Sequence, residues 1–215
     1  GHPLLDLKPQ TAEPPPLPVP SQAQLVGLLP GSRMSEITRL LPLLLEAAGI
    51  MRAQRSDLHF VLPVAPGLST KDLSPYLHQA PAGLTVLPGR AEQVMAQARL
   101  ILAASGTATL QAALAGAPTV VVYKTGGLNY ALARMLIKVD HIAMPNLVAG
   151  RRLLPELIQG EATPEAVAAE GLALLEDGPR RAEMLEGLKE VKAAMGGPGA
   201  TRRVAELAVR IMEGE

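Results

Sequence analysis

The sequence predicts an α/β fold in which a parallel sheet carries helices on both faces and a helical extension follows. Short, mostly apolar runs alternate with segments of helical spacing up to about residue 124, as buried strands and their covering helices do. Beyond residue 160 the pattern is almost entirely helical. Because parallel strands joined by helices cross over with a right-handed sense, we expect a doubly wound, Rossmann-like domain.

The first part of the chain supplies the sheet. Strands are predicted at 23–30, 58–65, 83–89, 99–105 and 117–124, with connecting helices at 34–54, 90–98 and 106–116 and a short helix or loop at 71–81. Pro42 is expected within the first turns of its helix or at a kink. The uncharged stretch 100–122 is long enough to span a membrane. Its Gly, Pro, Ser and Thr residues favour a strand, a turn, a helix and a second strand instead.

The rest of the chain is predicted to be mainly helical. A helix is expected at 128–138, and 140–160 is interpreted as a loop, a short strand and a helix that carries Glu156 and Gln159 on one face. Three further helices follow at 163–178, 179–197 and 199–215. The first of these has Thr163 as its N-cap and Pro164 in its first turn.

The composition excludes several classes of protein. The chain has 215 residues, 20 Lys and Arg against 20 Asp and Glu, 2% aromatic residues and no Cys. Neither a basic field nor aromatic stacking platforms are available for nucleic acid, and disulfides and Cys-based zinc sites are absent. The four histidines, at positions 2, 59, 78 and 141, lack metal-ligand spacing and are interpreted as structural or surface residues. We therefore predict neither a metal nor a cofactor.

The first candidate binding turn is "LLPGSR", at the end of the first strand. Ligands of open α/β sheets bind beyond the carboxyl ends of the strands. Gly31 permits a tight turn, and Ser32 and Arg33 would then point into the crevice, where a guanidinium suits a phosphate. A tight turn with a solvated Arg33 is the alternative.

The second candidate turn is "AASGTATLQ", between the fourth strand and the next helix. Ser105, Gly106 and Thr107 would expose the first N–H groups of that helix to an anion. Gln111 lies one turn further on, within reach of a sugar hydroxyl. The alternative is a simple helix cap, because the turn matches neither the P-loop nor the dinucleotide-binding motif. Asn146 in "MPNLVAG" is a further candidate, as a cap or a ligand contact.

These sequence motifs occur together in one known family. "GHPLLD", "LLPGSR" with Glu36 shortly after it, "ASGTATLQAALAGAPTVVVYK" and "MPNLVAGRRLLPELIQ" follow each other as in lipid-A-disaccharide synthase, and the chain resembles the C-terminal half of that family. The resemblance implies one Rossmann-like half of the GT-B fold, in an inverting glycosyltransferase. The donor would be UDP-2,3-diacylglucosamine and the acceptor 2,3-diacylglucosamine 1-phosphate. UDP and the β-1,6-linked lipid A disaccharide 1-phosphate would be the products, with no metal required.

The resemblance also assigns roles to residues. Arg33, in the turn with the candidate binding residues Gly31 and Ser32, would contact the diphosphate and offset charge in the transition state. Ser105, Gly106 and Thr107 would hold the diphosphate at the helix N-terminus. Asn146 would lie near the nucleotide. Gln111 stands where the family usually has a Glu that fits the ribose hydroxyls. At this ribose contact the chain therefore departs from the family pattern. The catalytic base is expected in a missing N-terminal half.

The resemblance completes the predicted organisation of the chain. Residues 1–20, with many prolines, are an interdomain linker, and 21–160 form the UDP-sugar-binding core. Residues 161–215 are helices that pack on the core or cross to the missing N-terminal half. Since the chain starts without Met, we expect a fragment of a longer protein. The family implies a peripheral protein at the cytoplasmic face of the inner membrane, with homodimers in some members.

Two alternative functions remain open at this stage. The chain could belong to another UDP-sugar enzyme of the GT-B fold, either a UDP-sugar 2-epimerase or a different glycosyltransferase. It could also be a non-catalytic nucleotide-binding remnant, which the departure at Gln111 would allow.

Overall fold

The strands among the described residues form one parallel sheet. The structure is a computed structural model that describes residues 2–6, 15–126 and 140–213, so the helix predicted at 128–138 lies outside the described residues. The six strands of the sheet follow the order β3-β2-β1-β4-β5-β6. Their bounds are β1 Gln24–Leu29, β2 Leu58–Val64, β3 Leu84–Pro88, β4 Leu100–Ala104, β5 Thr119–Tyr123 and β6 Glu156–Ile158.

The helices connect and cover these strands. Their bounds are α1 Met34–Gln54, α2 Thr70–Leu73, α3 Ala91–Gln97, α4 Thr107–Leu114, α5 Met144–Ala149, α6 Pro164–Leu175, α7 Pro179–Ala194 and α8 Ala200–Glu213, and single 3-10 turns lie at Pro3–Leu5, Leu77–Gln79 and Gln159–Glu161. Pro42 lies inside α1, and Thr163 caps α6 by accepting from the N–H of Ala166. The predicted α/β, doubly wound fold with a helical extension is confirmed.

Strands β1, β2 and β4 send side chains alternately to two hydrophobic cores. Val26 and Leu28 of β1 join the larger core under α1, α6 and α7. Leu25 and Leu29 face the smaller core with α3. Burial on both faces explains why the strand segments are apolar without interruption. The stretch 100–122 forms β4, α4 and β5, and no helix among the described residues is long and apolar enough to span a bilayer.

The segment "PELIQ" differs from its prediction. We expected a helix after a short strand, but the order is reversed: helix α5 comes first and strand β6 follows. Val121 of β5 pairs with Glu156 of β6. Leu and Glu favour helices when nothing else decides, but here pairing with the edge of the sheet determines the local structure.

The described part of the proline-rich segment docks on the core. Leu17 is buried in the smaller core. The carbonyl oxygen of Pro15 accepts from the guanidinium of Arg90 and from Nε2 of Gln93, the latter at 3.1 Å. Residues 15–17 are therefore held to α3 and the turn before it.

The C-terminal helices differ in how they contact the core. Helix α6 packs along α1, and α7 packs against α4 and α5. Helix α8 instead contacts the Pro3–Leu5 turn and exposes large apolar side chains. Val204, Leu207 and Ile211 form an apolar stripe at i, i+3 and i+7, and Val209 and Met212 are also exposed. Asp6 caps the start of α8, because its carboxylate accepts from the N–H groups of Thr201, at 2.7 Å, and Gly199. These bonds lower the pKa of Asp6 to about 2.

Candidate functional site

A cavity of about 630 Å³ opens at the carboxyl ends of β1 to β4. Four turns line it: Gly31–Arg33 after β1, the end of β2 with residues 63–66, Gly89–Glu92 after β3 and Ser105–Thr107 after β4. The strand order reverses between β1 and β4. That reversal is the place where open α/β sheets bind their ligands.

The structure brings most of the predicted site residues together in this cavity. Those that line it are Gly31, Ser32, Arg33, Ser105, Gly106, Thr107 and Gln111. They come from segments more than 70 positions apart in the sequence. Their contact with a nucleotide diphosphate stays a prediction.

The Gly31–Arg33 turn binds the carboxylate of Glu36. One carboxylate oxygen of Glu36, Oε2, accepts from the N–H of Ser32 at 2.9 Å and from the N–H of Arg33 at 3.3 Å. The other, Oε1, lies 2.9 Å from Nη1 of Arg33. Glu36 stands at the N3 position of α1, from which a carboxylate can reach back to the N-cap N–H, and this spacing is the sequence signal for its position.

The Ser105–Thr107 turn offers backbone donors at the start of α4. Gly106 is the N-cap, and the first N–H groups of a helix have no acceptor within it. The helix dipole adds positive charge there. The Ser105 side chain is engaged elsewhere, because its hydroxyl donates to the carbonyl of Ile142 at 3.3 Å. In this arrangement the Ser105 hydroxyl proton is directed at the protein, and Gly106 and Thr107 are the exposed residues of the turn.

Asn146 is not among the residues that line the cavity. Its side chain is completely buried. Its Nδ2 donates to the carbonyl of Leu154 at 2.9 Å and to Glu156 Oε1 at 2.8 Å, while its Oδ1 accepts from the N–H of Leu154 at 2.7 Å. All of these bonds hold the α5–β6 connection, so the structure gives Asn146 an architectural place.

Sequence reasoning missed what Glu156 and Gln159 do. The buried Glu156 carboxylate accepts from the N–H of Ala143 at 2.8 Å and from the N–H of Ile142. The Gln159 side chain accepts from the N–H of Thr125 at 2.9 Å and donates to its carbonyl. Glu156 thus holds backbone next to the cavity wall, since the carbonyl of Ile142 accepts from Ser105, and Gln159 holds the backbone that follows β5. The "PELIQ" motif was recognised in the sequence, but a helix was predicted there, and a helix would not place these two side chains on the backbone of Ile142 and Thr125.

The turn after β3 is the other feature that the sequence did not single out. Arg90 has a φ of 63°, and its Nε donates to Gln93 Oε1 at 2.9 Å. It lines the cavity and also bonds Pro15 of the docked segment. Its place directly after a predicted strand, at the same edge as Arg33, was the available signal.

The described residues include no group of three or more His, Cys, Asp or Glu side chains that could hold a metal ion. The groups that line the cavity offer the chemistry of an anion site. Backbone N–H groups and a guanidinium face a cavity large enough for a nucleotide-sized ligand.

Comparison with known sequences points to one family. The family described as lipid-A-disaccharide synthetase matches residues 1–210. A lipid-A-disaccharide synthase of Nitrosococcus oceani is 50% identical over 190 residues, which make up 88% of this chain and 49% of that protein. The chain spans about half the length of the curated relatives it matches.

Comparison with solved structures supports the fold. The glycosyltransferase of kitacinnamycin superimposes with a TM-score of 0.60 at 22% identity, over 95% of this chain and 47% of that one. The UDP-GlcNAc 2-epimerase of Neisseria meningitidis, solved with UDP-GlcNAc bound, gives a TM-score of 0.56 at 13% identity, over 89% and 46%. At these identities the likeness establishes only the Rossmann-like architecture that GT-B proteins share.

Proposed function

The chain belongs to the lipid-A-disaccharide synthetase family, and we propose from this that it is the donor-binding half of an inverting glycosyltransferase of lipid A biosynthesis. The donor is UDP-2,3-diacylglucosamine and the acceptor 2,3-diacylglucosamine 1-phosphate. The products are UDP and the β-1,6-linked disaccharide 1-phosphate. The observation that carries the proposal is the cavity between the Gly31–Arg33 and Ser105–Thr107 turns, where two sets of anion-binding groups face one space.

The diphosphate would lie between these two turns. Arg33 and the first N–H groups of α4 are placed to offset the negative charge that grows on UDP as the glycosidic bond breaks. Fixed donors aimed at developing charge lower the barrier because they need no reorganisation during the reaction. Gln111, half-buried one turn into α4, would hydrogen-bond the ribose as a neutral group.

The acceptor hydroxyl needs a general base, which we expect outside this chain. The rest of the longer protein is therefore the first partner proposed. The exposed apolar stripe of α8 supports this proposal, because such a stripe normally faces another surface. Contact with the rest of the protein or with a second copy would cover it. From the family we also propose a peripheral position at the cytoplasmic face of the inner membrane.

Binding of UDP to this chain is the direct test. Calorimetry should show UDP binding, and Arg33→Ala should weaken it roughly tenfold through loss of a charge-assisted contact. Arg39→Ala is the matched control, because Arg39 is an exposed arginine of α1 outside the cavity lining. Absence of UDP binding at millimolar concentration would contradict the proposal.

The donor and the reaction are tested with the longer protein. Product analysis with several UDP-sugars should show transfer from the diacylated glucosamine donor, lost in Arg33→Ala. Epimerised UDP-sugar without transfer would favour a UDP-sugar 2-epimerase instead, whose fold the chain also shares. UDP binding without either reaction would indicate a nucleotide-binding remnant.

A further inference from the structure

The carboxylate of Glu36 occupies the donors that an incoming diphosphate would use at the Gly31–Arg33 turn. Its Oε2 takes the N–H groups of Ser32 and Arg33, and its Oε1 pairs with the Arg33 guanidinium. These groups form the anion-binding surface on the β1 side of the cavity. The protein's own carboxylate neutralises that surface.

Gly31 shows how closely Glu36 is seated against the turn. The residue has a φ of 112°, and a Cβ atom built on it would overlap Oε2 of Glu36. The turn therefore needs glycine for two reasons, its backbone conformation and the space taken by the carboxylate. Glu36 lies in the first turn of α1, where a negative charge is favourable.

We propose that Glu36 is an internal anion that must leave the Gly31–Arg33 turn before the diphosphate of a nucleotide can bind there. The inference rests on the proposed function, because it concerns the same cavity. Each ligand competes with a tethered carboxylate, so its affinity is reduced by the fraction of molecules in which the turn is occupied. A ligand must therefore carry more negative charge than the Glu36 carboxylate in order to displace it from the turn.

The exposure of the ion pair indicates that displacement is easy. The Arg33 side chain is 76% exposed and that of Glu36 is 30% exposed, and exposed pairs are weak. A diphosphate presents more charge and more acceptor oxygens than a carboxylate, so it can replace Glu36 on both N–H groups and on the guanidinium. Glu36 can turn outward and still lie near the positive end of α1.

The test compares UDP binding to the wild-type chain and to Glu36→Gln by calorimetry. The amide has no charge and competes poorly, so the variant should bind UDP about fivefold more tightly. Uridine, which has no phosphate, should bind both proteins equally. Thermal unfolding checks that the variant folds, and Glu36→Ala repeats the measurement with the side chain removed.

Glu92→Gln is the matched control. Glu92 is an exposed carboxylate that lines the same cavity, and its neutralisation changes the overall charge without freeing the Gly31–Arg33 turn. Its effect on UDP affinity should be smaller than that of Glu36→Gln. An equal effect would attribute the gain to general charge and overturn the inference.

The remaining outcomes separate this inference from the proposed function. No UDP binding by the wild type contradicts the proposed function. Wild-type binding that is weakened or unchanged in Glu36→Gln and Glu36→Ala overturns only the inference, and would mean that Glu36 holds the turn ready for the ligand. A gain in uridine affinity equal to the gain for UDP would also overturn it.

Discussion

Glu36 and Glu156 show how the same side chain takes opposite roles in different surroundings. Both carboxylates accept from two successive backbone N–H groups. Glu36 does so at an open turn beside an exposed arginine, where a ligand can replace it. Glu156 is only 5% exposed and has Asn146 as its third partner. Loss of a buried acceptor leaves unpaired donors behind, so Glu156 belongs to the architecture and Glu36 to the site.

His59 makes the stability of the sheet edge depend on pH. Its ring lies 2.8 Å from the Thr85 hydroxyl of β3, and burial, with the nearby charge of Arg52, lowers its pKa below 6.5. The unfolded chain therefore binds the proton first, and the free energy of unfolding falls as the pH drops from about 6.5 through the lowered pKa. Chemical denaturation between pH 8 and 5 should show this loss, and His59→Gln should reduce it. An unchanged slope in the variant would contradict the assignment.

Those parts of the site that depend only on the position of the backbone could be predicted from the sequence. The turns at Gly31 and Gly106 follow buried strands, and parallel strands bring such turns to one edge of the sheet. Asn146 was predicted less well, because "MPNLVAG" looks the same whether its amide faces a ligand or a buried carboxylate. Its partners Leu154 and Glu156 follow in the α5–β6 connection, whose course depends on strand pairing that local sequence does not encode.

At the scale of elements, Gly27 allows helix α3 to approach the sheet. A Cβ atom on Gly27 would lie 2.5 Å from Cδ1 of Ile101 and 2.9 Å from Cγ1 of Val94. Gly27→Val should therefore lower the free energy of unfolding by roughly 1–3 kcal/mol through overpacking. Urea denaturation measures the change.

Gly49 provides the matched control for that substitution. It lies inside α1, and nothing lies within 4 Å of the Cβ position. Gly49→Ala should raise the stability by about 0.5–1 kcal/mol, because alanine is the better helix former. If Gly27→Val proved as stable as the wild type, α3 would have to pack against β1 less closely than described.

Helices and strands were predicted well when the apolar periodicity and the positions of turn-forming residues gave the same boundaries. Strand β4 and helix α4 lie within a residue or two of their predicted bounds, because Gly106 separates two buried segments. Strand β6 was assigned as a helix because its three residues are too short to show alternation. Only the neighbouring edge of β5 decides its conformation, and that edge is remote in sequence.

For the whole molecule, α8 contributes little to the stability of the core. Its described side chains from Thr201 to Met212 are exposed, and its main contact is with the Pro3–Leu5 turn. Removal of residues 201–215 should change the melting temperature by less than about 3 °C. Circular dichroism would follow it, and a fall of more than about 10 °C would mean that α8 belongs to the folding unit.

The overall α/β architecture was predictable because alternating strands and helices leave few topologies that obey right-handed crossover. The pairing of residues 6 and 201 was not. The hydrogen bond from the N–H of Thr201 to the carboxylate of Asp6 joins segments that are 195 positions apart in the sequence. No local sequence pattern predicts such a contact.

The reversal of strand order between β1 and β4 also has a consequence for the speed of binding. Both turns are fixed to buried strands, so the concave space exists before a ligand arrives. The movement proposed for Glu36 is a rotation of a partly exposed side chain, which takes nanoseconds or less. Association would then be limited by encounter, as for other preformed sites. Differences in affinity among Arg33 variants would appear mainly as different residence times of the nucleotide. Glu36 variants would differ instead in the association rate, because a larger fraction of molecules has the turn free.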